Sequence, residues 1–218
     1  MMSDAKKIIL LGRVSDPFTT AANAANADAL SRGGKLWYAT KAAGLAGYAF
    51  TDSAGTVQAA ATDVLGNWKS KEGSNTAATQ STSAKKPTLT TLENGYVAPV
   101  FNATTSNLAV TPGFSLSGAI TVIAAVKSNL MNSALAPFIL DSTDFGNRFV
   151  IYTQDSDKTI RILRSAQIAS AANAIISNVP FVVESVFNGA SSSVSINNIQ
   201  VASGDVGTSS PTTLILGN

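Results

Sequence analysis

Seven short runs rich in β-branched and aromatic residues fill the second half of the chain and constrain its fold more than anything else. They are Ala119–Val126, Pro137–Asp141, Arg148–Tyr152, Thr159–Leu163, Phe181–Phe187, Ser193–Ile199 and Thr213–Leu216. Asp, Asn, Gly and Ser separate them, which is the punctuation of turns. Gln154–Lys158 and Phe187-Asn188-Gly189-Ala190 read as hairpin turns, Asn-Gly being the strongest short hairpin signal. Within Thr159–Arg164, Ile160 and Ile162 face one way while Arg161 and Leu163 face the other. Seven such strands at this spacing imply an all-β, antiparallel β-sandwich.

The first half is less regular. Lys35–Ala39, Tyr48–Thr51 and Thr56–Ala60 read as short strands, and residues 69–91 as a long polar loop. Residues 8–14 form a strand or an apolar anchor. Residues 19–31 favour a short helix, with Thr19 or Thr20 as N-cap and Gly33-Gly34 as its stop. The helix's apolar face is nearly all Ala, so it buries little area alone. The expected organisation is an N-terminal arm over 1–34 and a sandwich domain over 35–218. Such an arm gains order only by packing on something else: Ile8, Ile9, Leu10 and Leu11 on a sheet edge, and 17–34 on a neighbouring subunit. Lys6-Lys7 before Ile8–Leu11 imitates the start of a signal peptide, but Gly12-Arg13 interrupts the apolar run. No run reaches the roughly 18 apolar residues of a membrane span, so the reading is a soluble, unprocessed chain without a membrane partner.

Composition narrows the chemistry. Charged residues make up 13% and hydrophobic ones 45%, with a net charge of +2, so the polar surface consists mainly of Ser, Thr and Asn. That balance gives no basis for salt-dependent nucleic-acid binding. The chain has no Cys and no His. Disulfides, thiolate nucleophiles, Cys-based metal centres, the Ser–His–Asp triad and the HExxH site are therefore excluded.

Two segments resemble the laminin-G-like, concanavalin-A-like jelly-roll family. The first runs from Gly66-Asn67-Trp68-Lys69-Ser70-Lys71 through Asn75-Thr76-Ala77-Ala78-Thr79-Gln80 to Lys86-Pro87-Thr88-Leu89. The second is the order of Ala119–Lys127, Arg148–Tyr152, Thr159–Leu163, Pro180–Gly189 and Leu214–Asn218. The resemblance covers roughly residues 36–218 and implies a concanavalin A-like jelly roll, a fold that hosts lectins, glycanases and inert adaptors alike. Domains of this kind continue past the Gly217-Asn218 strand. The expectation is that residues 8–14 fill that place, or that an edge stays open to another subunit.

Glycanases on such a sandwich need two carboxylates on one face. Glu72, Glu93 and Glu184 each stand without another acid two or four residues away, which argues against an enzyme. Asp141, Asp144 and Asn147, or Asp155 with Asp157, are candidate Ca²⁺ ligands, with turn capping as the plain alternative. Otherwise no cofactor is expected. Trp37, Trp68, Tyr48, Tyr96 and Tyr152 could stack on sugars or fill the core, and Trp68, next to a loop, suits a sugar platform. Lys85 and Lys86, with Lys69 and Lys71, form a small basic cluster that is either solvated or faces an acidic partner. Asn102-Ala103-Thr104 fits a glycosylation acceptor only on a secretory route.

With catalysis nearly excluded, the composition resembles that of phage virion structural proteins. The leading expectation is a capsid decoration or head-fibre protein on the virion surface. It would be a homo-oligomer, with a trimer as the favoured state, and would contact the major capsid protein. The alternative is a lectin-like glycan- or receptor-binding module of a tail fibre or surface appendage. The absence of long repeats, heptads or a β-helical shaft tells against the tail fibre.

Overall fold

The computed structural model describes residues 6–11, 36–39, 47–70, 76–91, 97–102, 105–128 and 136–217. Strands in the first half are β1 (Lys6–Leu11), β2 (Leu36–Ala39), β3 (Ala49–Phe50) and β4 (Asn67–Lys69). β5 (Ala77–Thr79), β6 (Thr88–Thr91), β7 (Val97–Val100) and β8 (Leu108–Val110) follow. The second half holds β9 (Ile120–Val126), β10 (Phe138–Ser142), β11 (Val150–Gln154), β12 (Thr159–Leu163) and β13 (Gln167–Ala169). It ends with β14 (Phe181–Phe187), β15 (Ser192–Ile196), β16 (Ile199–Gly204) and β17 (Leu214–Leu216).

These strands form a β-sandwich. One sheet has the order β16-β15-β14-β9-β1-β2, the other β13-β12-β11-β10-β17-β8-β5-β4-β3, and β6 pairs with β7 alone. Strict alternation builds the core. In β9, Ile120, Val122 and Ala124 are buried; in β14, Phe181, Val183 and Phe187 are buried. Across from them lie Leu108, Leu140, Ile151, Ile160, Ile162, Leu214 and Leu216 of the larger sheet. The Phe149 and Phe187 rings meet with centroids 4.0 Å apart and join the two layers.

Most ladders are antiparallel, as the hairpin-rich sequence implies, but β1 is a departure. It runs parallel to β9, with Ile8 opposite Val122, and parallel to β2, with Ile8 opposite Leu36. The apolar run of the expected arm is thus a strand inside the six-stranded sheet. Ile8, Ile9, Leu10 and Leu11, expected as assembly residues, lie on a strand flanked on both sides by strands of its own chain. The expected helix at 19–31 lies outside the described residues.

Three further expectations are corrected. The polar stretch 69–91 holds the end of β4, β5, a 3-10 turn at Ser83–Lys85, and β6. Small side chains such as Ala77-Ala78-Thr79 pair there because Ala78 fills a fully buried site against Trp68 and Val110. Ser193–Ile199 is not one strand: Asn197 and Asn198 both take positive φ (50° and 68°), the geometry of a tight hairpin between β15 and β16. Thr56–Ala60 makes only an isolated bridge at Gln58, because the preceding turn is organised by Asp52. Its carboxylate accepts from the backbone N–H groups of Thr56 and Val57 and from the Thr56 hydroxyl.

Candidate functional site

Antiparallel register puts directly opposed residues on the same face of a sheet. Phe138 pairs with Tyr152, Tyr152 with Arg161, and Arg161 with Ala169, so these four make one row across β10, β11, β12 and β13. The adjacent residues Ile151, Ile160 and Ile162 point into the core, which places the row on the outer face of the nine-stranded sheet. Phe138, Tyr152 and Arg161 are half-buried and Ala169 is exposed.

Side-chain contacts fix the row in place. The Phe138 and Tyr152 rings are tilted by 48° with centroids 5.7 Å apart. The Arg148 guanidinium lies 5.1 Å from the Phe138 centroid and donates from Nε and Nη2 to the two oxygens of Asp141, at 3.1 and 2.9 Å. This is the bidentate fork that arginine forms with a carboxylate. The Asp141 hydrogen bond raises the Arg148 pKa further, against the opposing effect of partial burial. Tyr152 Oη donates to Gln167 Oε1 at 2.6 Å. Arg161 donates from Nε to Thr159 Oγ1 at 2.9 Å and from Nη2 to Asp157. Burial works against its charge, but its hydrogen bonds to Asp157 and Tyr152 and their negative potential raise its pKa overall. Asp157 is held below the usual carboxylate range, first by the Thr159 hydroxyl and also by Arg161. The result is a half-buried, outward-facing strip of two aromatic rings, two ion-paired guanidiniums and one exposed amide.

The residues singled out from the sequence fall differently. Asp141 is buried, with Arg148 on both oxygens and the Ser142 N–H on one. Asp144 caps the 3-10 turn Phe145–Asn147, accepting from the N–H groups of Gly146 and Asn147 and from the Asn147 side-chain amide. These partners, the Asn147 amide foremost, lower the Asp144 pKa. The carboxylates are thus committed to an arginine and to a turn, and the set does not fit a Ca²⁺ cage, which needs six to eight converging oxygens. No group of three or more acidic residues suited to a metal occurs among the described residues. Trp68 is 4% exposed and packs in the core, so it cannot serve as a sugar platform. Lys86 Nζ donates to the Thr51 carbonyl at 2.7 Å, tying the 3-10 turn to the β3 end, while Lys85 is exposed.

Sequence reasoning named Tyr152 and the outward face of Arg161 but missed Phe138, Arg148 and Gln167 as a group. Alternation gives each one's side; only register reveals them as neighbours. A shallow depression of about 400 Å³ also lies between the loops at 111–116 and 210–212. Thr111, Pro112, Phe114, Ser115, Leu116, Ser210, Pro211 and Thr212 line it, none of them an acid–base group. Among the described residues, no helix is long and apolar enough to cross a membrane.

No family model matches the chain, and no curated protein matches it. Among solved structures it is similar to the carbohydrate-binding module CBM66 from Bacillus subtilis. The two share 12% identity over 61% of this chain and 88% of that one, with a TM-score of 0.38. A likeness so distant leaves the ligand to be argued from the outward-facing strip itself.

Proposed function

We propose that the protein is a non-catalytic glycan-binding module and that the strip on β10–β13 is its binding face. The carrying observation is the single outward row Phe138–Tyr152–Arg161 with Gln167 hydrogen-bonded to the Tyr152 hydroxyl. Sugar rings present apolar C–H faces, which suit aromatic rings, and rims of hydroxyls, which suit planar donors and acceptors. Tyr152 supplies ring surface, Gln167 an exposed amide, and Arg161 a guanidinium fixed by Thr159 and Asp157. The strip holds no nucleophile–base pair, which supports binding rather than turnover.

Glycan-array screening followed by calorimetry on the best ligand tests this reading. Tyr152→Ala is expected to weaken binding at least about tenfold, equivalent to roughly 1.4 kcal/mol. Lys85→Ala, far from the strip in the β5–β6 connection, is expected to leave it unchanged. A blank array, or Tyr152→Ala binding like the parent protein, would sink the proposal.

Self-assembly is a second reading, favoured by one observation. Ile176, Val179 and Ile199 are 66%, 46% and 70% exposed, and Ile199 begins the edge strand β16. Light scattering tests it: a strict monomer at high concentration removes it. The virion and capsid part of that expectation rests on composition alone.

A further inference from the structure

We infer that the strip takes neutral glycans and discriminates against acidic ones, an inference that rests on the glycan reading above. The charge on the strip is already spoken for. Over residues 141–161 the acids are Asp141, Asp144, Asp155 and Asp157, and the bases are Arg148, Lys158 and Arg161. Arg164 follows before β13 begins, so across β10–β13 acids and bases are equal in number, four each.

Both outward guanidiniums are matched. Arg148 is forked onto Asp141, and Arg161 pairs with Asp157 four residues earlier. A uronic or sialic carboxylate would have to displace one of these protein carboxylates, or sit beside it as a second negative charge. Displacing Asp141 would leave a buried carboxylate without its arginine, which is strongly unfavourable. Displacing Asp157 from Arg161 would leave its charge in place, because Asp157 Oδ1 stays tied to the Thr159 hydroxyl and N–H while only Oδ2 faces the arginine, so the incoming carboxylate would sit beside it.

Several other cations are committed elsewhere, and Lys158, in the β11–β12 turn, directly follows Asp157 in the chain. Lys69 lies over the Phe50 ring at the far end of the sheet, Lys86 is held by Thr51, and Arg164 is buried. Hydroxyls of a neutral sugar make no such demand. They add to the N–H groups and lone pairs of a surface whose charges are balanced, and the ion pairs keep its donors and acceptors in fixed directions.

The test is affinity electrophoresis of the intact protein through gels containing galactomannan or xyloglucan as neutral probes, and polygalacturonate or alginate as acidic ones. Runs at low and moderate salt separate direct contacts from screened charge. The expected result is retardation on at least one neutral polymer, little changed by salt, with acidic polymers at least about tenfold weaker. Asp157→Asn, which leaves Arg161 without its carboxylate, is expected to raise the acidic-to-neutral affinity ratio and to make acidic binding salt-sensitive. Asp141→Asn serves as the second variant should the first fail to fold, with circular dichroism reporting on both. Equal or tighter binding to an acidic polymer overturns the inference and leaves the glycan reading standing. No retardation on any of the four, together with a blank glycan array, overturns both.

Discussion

Arg164 shows how a single residue can fasten several segments. It is 1% exposed, and its guanidinium donates to the carbonyls of Leu116 and Gly118, each at 2.7 Å, and to that of Ser209. It thereby ties the loop before β9 and the loop before β17 to the end of β12. Burial lowers its pKa from the ordinary arginine value, yet three carbonyl dipoles receive its charge in place of water. Arg164→Ala would strand those carbonyls, each at a cost of roughly 1–3 kcal/mol when buried. We expect a total loss on the order of 3–5 kcal/mol in urea unfolding, with Arg164→Lys recovering only part, since one point-like head cannot fork to three oxygens. The sequence shows an Arg at the end of a strand and nothing of this role. Trp68 carries the same lesson in reverse. Its loop-side position suggested a platform, while its partners Ala49 and Ala78 put it in the core row.

At the scale of elements, strands with β-branched alternation were legible and strands made by tertiary pairing were not. β9, β11, β12 and β14 lie within a few residues of their expected bounds, because Val and Ile on a half-buried pleated surface write the pattern into the chain. β5 and β13 escaped, being three residues each and lacking that pattern. β16 escaped because the Asn197-Asn198 turn contains no Gly, although Asn tolerates the left-handed region well. The outward row was half legible for the same reason: the faces of Tyr152 and Arg161 follow from alternation, but their adjacency needs the β11–β12 register. Asn198 offers a direct measurement. At φ 68°, Asn198→Ala should cost about 1–2 kcal/mol in a urea midpoint analysis, and Asn198→Gly should cost less. A full-cost Gly variant would mean that the Asn side chain, not the backbone, is what matters.

The whole molecule should be sensitive to acid. Asp52, Asp144 and Asp157 all have folded-state pKa values below the ordinary carboxylate value. For Asp52 the value is about 2, set chiefly by the Val57 N–H. A depressed carboxylate contributes stability that is full above its unfolded pKa and is lost as pH falls through the folded one. Melting temperature should therefore hold from neutral pH down to about 4 and fall between about 4 and 2. Asp52→Asn should flatten part of that decline, and an unchanged profile would show that its turn does not need the charge. A different consequence follows from the parallel placement of β1. Its partner β2 follows within about thirty residues, but its other partner β9 is made more than a hundred residues later, so at roughly 5–20 residues per second the Ile-Ile-Leu-Leu run waits several seconds on the ribosome before its second neighbour exists. Neither strand can close that ladder by a local hairpin, and the loop entropy is spent before any contact repays it. The β1–β9 ladder, and with it the continuity of the six-stranded sheet, is thus completed late in synthesis.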